Sequence, residues 1–268
     1  MAPMSTAFRA LRTVTGTLLV LFVALPLLAL VGRLGRLETM VVDPPALVES
    51  LGLSLRTTAV ATALVMLCGT PLAWWLARGR SWLRSSVQTL LELPLVLPPT
   101  VAGLALLLAF GRQGGVGAWL EAQGMALPFT TAAVIGAQVF VSAPLYVSAA
   151  RAAFATIDPA LEEAAATLGS GEAERFFRVS LPLARPGLLA GAVMATARAL
   201  GEFGATLMFA GNLAGVTRTL PLAVYGALQV DPDQAIALSL VLLLMAALLL
   251  ALLRLVGRPI TEVRDAGR

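Results

Sequence analysis

The sequence contains no histidine and no lysine. Without histidine, the commonest general base and the commonest transition-metal ligand are missing. Without lysine, neither a GxxxxGK(S/T) phosphate loop nor a Schiff base can be completed, and all 19 basic residues are arginine. One cysteine, Cys68, sits in an apolar stretch, so the chain can build neither an internal disulfide nor a thiolate metal site. Charge is scarce as well. Charged residues make up 13% of the 268, about half of what a soluble domain uses to cover its surface.

What is present is apolar: 58% of residues are hydrophobic and the mean hydropathy is +0.87. These values describe an integral membrane protein. A helical span needs about 20 apolar residues to cross about 30 Å of hydrocarbon, and charges delimit six such segments: 13–32, 57–77, 93–111, 128–150, 187–210 and 235–253. Lipid offers no partner to free backbone groups, so all six are expected to be helices of one all-α membrane domain spanning 1–268. The first follows Arg9 and Arg12 like a signal peptide, but its length and the five spans behind it favour an uncleaved anchor.

Arginine placement sets the expected orientation. With the N-terminus inside, thirteen arginines (9, 12, 78, 80, 84, 151, 175, 178, 185, 254, 258, 264 and 268) face the cytoplasm and five (33, 36, 56, 112 and 218) face out. Both termini are therefore expected to be cytoplasmic, and the longest inner loop is 151–186. The net charge of +4 follows from this distribution and implies no nucleic-acid binding.

That inner loop has the pattern of two short amphipathic helices joined by an elbow. Asp158-Pro159 is a helix start, with Asp at the cap and Pro at the first helical position. Leu161, Ala164, Ala165 and Leu168 then share one face. Gly169-Ser170-Gly171 permits a sharp turn. A second helix is expected from Glu172, with Ala173, Phe176, Phe177 and Val179 as its apolar residues, stopped at Leu181-Pro182 before Pro186 leads into the fifth span. Such a knob suits a cleft on a soluble partner and passes that partner's motion into the bundle.

The run Glu163-Ala164-Ala165, Gly169 six residues after the Glu, then Val179-Ser180-Leu181-Pro182 resembles the EAA signature of ABC importer permeases. The resemblance implies that this loop docks in a groove of a separate ATPase. Gly169 then supplies a turn that a side chain would obstruct, and Glu163 either contacts the partner, the preferred role, or caps a helix end.

Two further places bear on what crosses the membrane. Arg198 and Glu202 lie four apart in the fifth span, hence on one helical face. Intramembrane charges cost about 2.5–3.5 kcal/mol each on insertion scales and by default mark function. They either line a path or gate, or neutralise each other in packing. Gly201 and Gly204 flank Glu202 and allow close approach; Gly187 and Gly191 form a GxxxG suited to helix contact. In the third span Pro94, Pro98 and Pro99 prevent a regular helix over the first turns, and Thr100 offers a hydroxyl after the break. This is either a kink or part of a cavity wall. The stretch 217–229 reads as a short interfacial helix meeting an outer partner, or as a long turn.

The segments LPLVLPPTVAG, ALGEFGATLMFAGN and RTLPLAVYGALQ, together with the EAA loop, resemble the molybdate-type permeases of ABC importers over most of 57–253. That resemblance implies a type I importer permease fold with a coupling helix between spans four and five. It implies a homodimer in the bacterial inner membrane with two ATP-binding cassette subunits and an extracytoplasmic oxyanion-binding protein. ATP and Mg would act on the partner ATPase, with no cofactor or metal held by this chain. Candidate pathway or gate residues are Pro98, Pro99, Thr100, Arg198, Glu202 and Gly204, near the dimer axis; candidate ATPase-coupling residues are Glu163, Ala164, Ala165, Gly169, Val179, Leu181 and Pro182. Sulfate and thiosulfate permeases share the GE(F/Y)G region and remain the substrate alternative. An ion-coupled secondary anion transporter, with Glu202 as its titratable group, is the alternative from another class. Enzyme chemistry lacks its residues: Ser142 and Ser148 have no base, and the spans hold no aspartate.

Overall fold

The computed structural model describes residues 6–35, 43–79 and 81–256, with side chains in 11–35, 43–79 and 81–252. Arg36, Arg80, Arg258, Arg264 and Arg268, counted above for orientation, lie outside the described residues, as do the side chains of Arg9 and Arg254. Every regular element among the described residues is helical. In chain order they are α1 (Thr6–Val31), α2 (Pro44–Ala77), α3 (Trp82–Val96), α4 (Pro99–Phe110), α5 (Gly115–Ala122), α6 (Thr131–Ala155), α7 (Pro159–Thr167), α8 (Glu172–Arg175), a π-turn at Phe176–Ser180, α9 (Leu181–Leu200), α10 (Gly204–Ala210), α11 (Leu220–Leu228) and α12 (Pro232–Val256).

Among the described residues, five helices are long and apolar enough to cross a membrane: Leu11–Val31, Pro44–Ala77, Thr131–Ala155, Glu172–Leu200 and Pro232–Leu252. The third expected segment, 93–111, is not one helix. It is the junction of α3 and α4, which meet at a 120° bend. Pro98 and Pro99 explain the bend, because neither has an N–H to continue the ladder and each excludes helical backbone at the residue before it. The segment expected at 187–210 likewise divides, with α9 ending at Leu200 and α10 starting at Gly204. The second span begins earlier than its charges suggested. Asp43 and the two prolines behind it start α2 thirteen residues before Thr57, giving 34 residues or about 51 Å of helix.

Small residues let the bundle close. On α2, α6 and α9, Ala73, Ala150, Ala184 and Ala195 pack with Tyr146, Phe154 and Leu188 in one core. A second core joins α4, α6 and α10 through Ala102, Ala133, Ala137, Ala205 and Phe209. A third joins α11 to α12 and to the start of α2 through Leu220, Ala227 and Leu238. With no hydrophobic force between helices in lipid, such close backbone approach is what provides the attraction. Gly187 sits against Ala153 and Gly191 against Ala149 and Tyr146, so the GxxxG lies in the α6–α9 contact. The stretch after Thr219 is a helix, α11, with Leu220, Pro221 and Leu222 buried. Large apolar side chains elsewhere, such as Phe22, Leu67 and Leu108, remain exposed on surfaces suited to lipid or to a second subunit.

Candidate functional site

The break between α9 and α10 is where the chain places its intramembrane charges. Gly201, Glu202 and Phe203 leave the helical ladder, which strands polar groups at both cut ends. Two side chains meet them. Gln138 of α6 donates through Nε2 to the Ala199 carbonyl at 3.1 Å, closing the end of α9. Glu202 accepts from the Ala205 N–H through Oε1 at 2.8 Å, closing the start of α10. Its other oxygen, Oε2, meets Arg198 Nη1 at 2.6 Å. Glu202 is therefore engaged on both oxygens and 1% exposed, whereas the Arg198 side chain is 33% exposed. The carboxylate is structural support and the guanidinium is the open face of the pair.

The same break meets the proline break of the third segment. A Cβ on Gly204 would lie 2.6 Å from Pro99 Cβ and 3.5 Å from the Thr100 nitrogen. One on Gly103 would lie 2.7 Å from both the Ala205 oxygen and Met208 Cβ. The rings of Phe110 and Phe209 follow with centroids 6.2 Å apart. Thus α4 and α10 run side by side in the same direction, each starting at a chain break. Pro99 and Thr100 thus meet Gly204, two residues after the Glu202 that pairs with Arg198, from segments about a hundred residues apart in sequence. Pro98 and Thr100 are exposed beside them. Irregular backbone of this kind is accommodated in membrane proteins where it is enclosed by protein or lines a polar cavity.

The loop between α6 and α9 has the expected start and elbow. Asp158 Oδ1 accepts from the Ala160 N–H at 2.9 Å, and α7 ends at a glycine with φ +86°. No atom lies within 4 Å of a Cβ built on Gly169. Glycine is required there by the left-handed backbone and not by crowding, which corrects the expected obstruction. Glu163 and Ala164 are exposed and Ala165 half-buried, so the outward face of α7 carries the first part of the signature.

The expected stop at Leu181-Pro182 is absent. The helix from Glu172 runs through Phe176–Ser180 as a π-turn and continues as α9 to Leu200. Leu181 N–H bonds to the Phe176 carbonyl, five residues back. Pro182 has no N–H for the Arg178 carbonyl and its ring would press on it; the wider turn takes up that mismatch, and the helix survives the proline.

Two features were not anticipated. Arg78, at the end of α2, forms an ion pair with Glu162 while its Cζ lies 3.3 Å from the centroid of Trp74. The Ser180 hydroxyl donates to the same Glu162 carboxylate. Burial pushes the Glu162 carboxyl up, but the Ser180 hydroxyl and the Arg78 guanidinium outweigh it and hold the group below its ordinary value. Glu162, the neighbour of the signature glutamate, therefore ties α7 to α2 and to the π-turn. The other feature is Gln138, a lone amide in an apolar span, which the polarity of its position alone could have flagged.

Comparison with known proteins adds sequence and fold. Residues 69–261 match the family model described as the binding-protein-dependent transport system inner membrane component. The molybdenum transport system permease protein ModB of Mycobacterium tuberculosis is 49% identical over 231 residues, 85% of this chain and 87% of that protein. ModB of Escherichia coli K12 is 39% identical over 202 residues, 75% of this chain and 88% of that protein. Among solved structures, a bacterial alginate ABC transporter in complex with an alginate pentasaccharide-bound periplasmic protein matches with a TM-score of 0.73 at 18% identity, covering 96% of this chain and 95% of that one. At that identity the likeness speaks for the fold alone, which is that of an ABC importer permease.

Proposed function

The chain belongs to the binding-protein-dependent transport system inner membrane components, the permeases of ABC importers, and on that premise we propose that it carries molybdate or tungstate into the cytoplasm. It is a transport subunit without a catalytic site of its own. In this reading two copies pair in the inner membrane with both termini in the cytoplasm. Two ATP-binding cassette subunits hold ATP and Mg, and an extracytoplasmic binding protein delivers the oxyanion. The observation that carries the substrate is the 49% identity over 231 residues to a molybdenum permease.

The geometry supports a division of labour. The α7 knob, with Glu163 and Ala164 outward, Ala165 half-buried beside them and Gly169 at the elbow, docks on the ATPase, while Val179, Leu181 and Pro182 join it to α9. Movement of the knob travels along the unbroken helix from Glu172 to Leu200 and arrives at Arg198. There the half-open guanidinium meets the anion beside Pro98, Pro99, Thr100 and Gly204. Glu202 tempers its charge so that the anion passes without being trapped.

The test is reconstitution with the cognate ATPase and binding protein in liposomes. ATP hydrolysis and uptake should respond to binding protein carrying molybdate or tungstate and not to the sulfate-loaded form. A response to sulfate alone overturns the substrate. No response to any loaded binding protein, from an assembled complex, overturns the transport reading.

A further inference from the structure

We propose that the cleft between α3 and α6 binds the phosphate headgroup of an anionic phospholipid. The cleft has a volume of about 620 Å³ and lies beside Gly79, and its walls include Ser81, Trp82, Arg84, Ser85, Gln88 and Arg151. It contains two arginines and no carboxylate. Neither arginine has an ion-pair partner among the described residues, and the Nε of each is buried without a hydrogen bond. Glu92, the one acid on α3, lies two turns further on and is engaged by Gln88 Nε2 at 2.9 Å.

Each arginine is half-buried, and leaving its enclosed Nε without an acceptor is unfavourable. A phosphate meets that need, because its oxygens match the planar fork of arginine in bidentate geometry. The site is also partly prearranged. The Arg84 guanidinium stands 5.1 Å over the Trp75 ring. Its Nη1 would be 2.9 Å from a Cβ on Gly79, a residue with φ +81°, so the glycine leaves room for the arginine. Ser81 and Ser85 add hydroxyls to the same wall.

A phosphate on a lipid fits better than a free one because of what adjoins the cleft. Trp82 is 83% exposed, and Leu83 and Leu90, one above the other on α3, are 55% and 66% exposed. Tryptophan at the boundary with apolar residues beyond it is the arrangement of a membrane interface, and basic pockets between helix ends at that level take lipid headgroups. The inference requires that the chain lie in a membrane; it does not depend on molybdate as substrate.

The experiment uses the assembled permease–ATPase complex in neutral detergent, with native mass spectrometry after addition of phosphatidylglycerol, phosphatidylcholine or inorganic phosphate. Phosphatidylglycerol should be retained and phosphatidylcholine should not. The Arg84→Gln/Arg151→Gln double variant should lower phosphatidylglycerol retention about tenfold, as expected for loss of charge-assisted bonds, and Arg84→Lys/Arg151→Lys should lower it less. Trp82→Ala/Leu83→Ser, which leaves both arginines in place, should also reduce retention. Equal retention of the two lipids, or undiminished retention in the Gln double variant, overturns the site. Displacement by millimolar inorganic phosphate overturns the lipid as its occupant. A cleft filled instead by an acidic side chain of the ATPase would show as retention only after the ATPase is stripped away, which also overturns it. Uptake measured on the same preparations reports separately on the transport reading.

Discussion

Arg78 holds Glu162 with its guanidinium stacked 3.3 Å above the Trp74 ring, so the end of one spanning helix grips the knob that follows another. Both side chains are largely enclosed, at 27% and 19% exposure, which makes the pair more than a surface ion pair. Replacing either partner by Gln should cost about 1–3 kcal/mol, because the remaining charge loses its counterpart. Thermal unfolding of the detergent-solubilised complex measures it. If the grip also transmits motion, ATP-driven uptake falls more than the amount of assembled complex does, and the Arg78→Glu/Glu162→Arg exchange restores part of it.

The pH dependence of that grip has a fixed sign. Glu162 titrates below its ordinary 4.5 in the folded protein, so its contribution is complete above that value and is lost as pH falls through the lower native one. The stability difference between wild type and Glu162→Gln should therefore be constant from pH 6 to 8 and shrink in the acid range. A difference that shrinks toward pH 8 contradicts the assignment.

At the elbow, Gly169→Ala should cost about 1 kcal/mol from the left-handed backbone alone, and Gly169→Asn less, since asparagine tolerates that region. Glu163→Lys leaves the fold intact, because the side chain is exposed. The Glu163→Lys/Gly169→Asp double variant should insert normally yet lose coupling of ATP hydrolysis to uptake. Unchanged uptake would remove the knob from the mechanism.

For the intramembrane pair, Arg198→Gln leaves a carboxylate with 1% exposure short of its cation. The expected cost is about 1–3 kcal/mol, less than for a fully enclosed pair because Arg198 is a third exposed. Glu202→Gln can still cap α10 through its amide oxygen and frees the guanidinium. It should keep binding-protein-stimulated ATP hydrolysis while slowing release of the anion, which a single-turnover uptake assay separates.

The seam of α4 and α10 should be intolerant of volume. Gly103→Val places methyl groups where the Ala205 oxygen and Met208 Cβ already stand 2.7 Å from the first added carbon, and overpacking of this kind costs about 1–3 kcal/mol. The yield of folded protein and its melting temperature measure the effect, and Gly16→Val, at a position with nothing within 4 Å, is the control.

Hydropathy located the apolar stretches and Asp-Pro marked the Asp158 cap, because lipid forces helix formation and Asp-Pro is a strong local start, but neither gave the early start of α2 or the breaks in the third and fifth segments. The spacing of the EAA signature was legible for the same local reason. The partners of the broken elements were not. That Gln138 closes α9 across 61 residues, and that Gly204 meets Pro99, are consequences of tertiary packing that no periodicity encodes. Glu162 and Glu163 look equivalent in sequence; only the position of α7 against Arg78 and Ser180 distinguishes the inward glutamate from the outward one. The stop expected at Leu181-Pro182 failed because a wide turn can carry a helix past a proline.

That wide turn has a geometric consequence. From Leu181 to Leu200 the helix holds 20 residues, about 30 Å of stiff rod. Pivoting by only 10° at the π-turn swings its far end through about 5 Å, close to one pitch of a helix. Angular play too small to disturb the packing near the pivot is thus magnified into a change of neighbour at the other end, and the sharpest demand for slack falls on the three residues that separate α9 from α10.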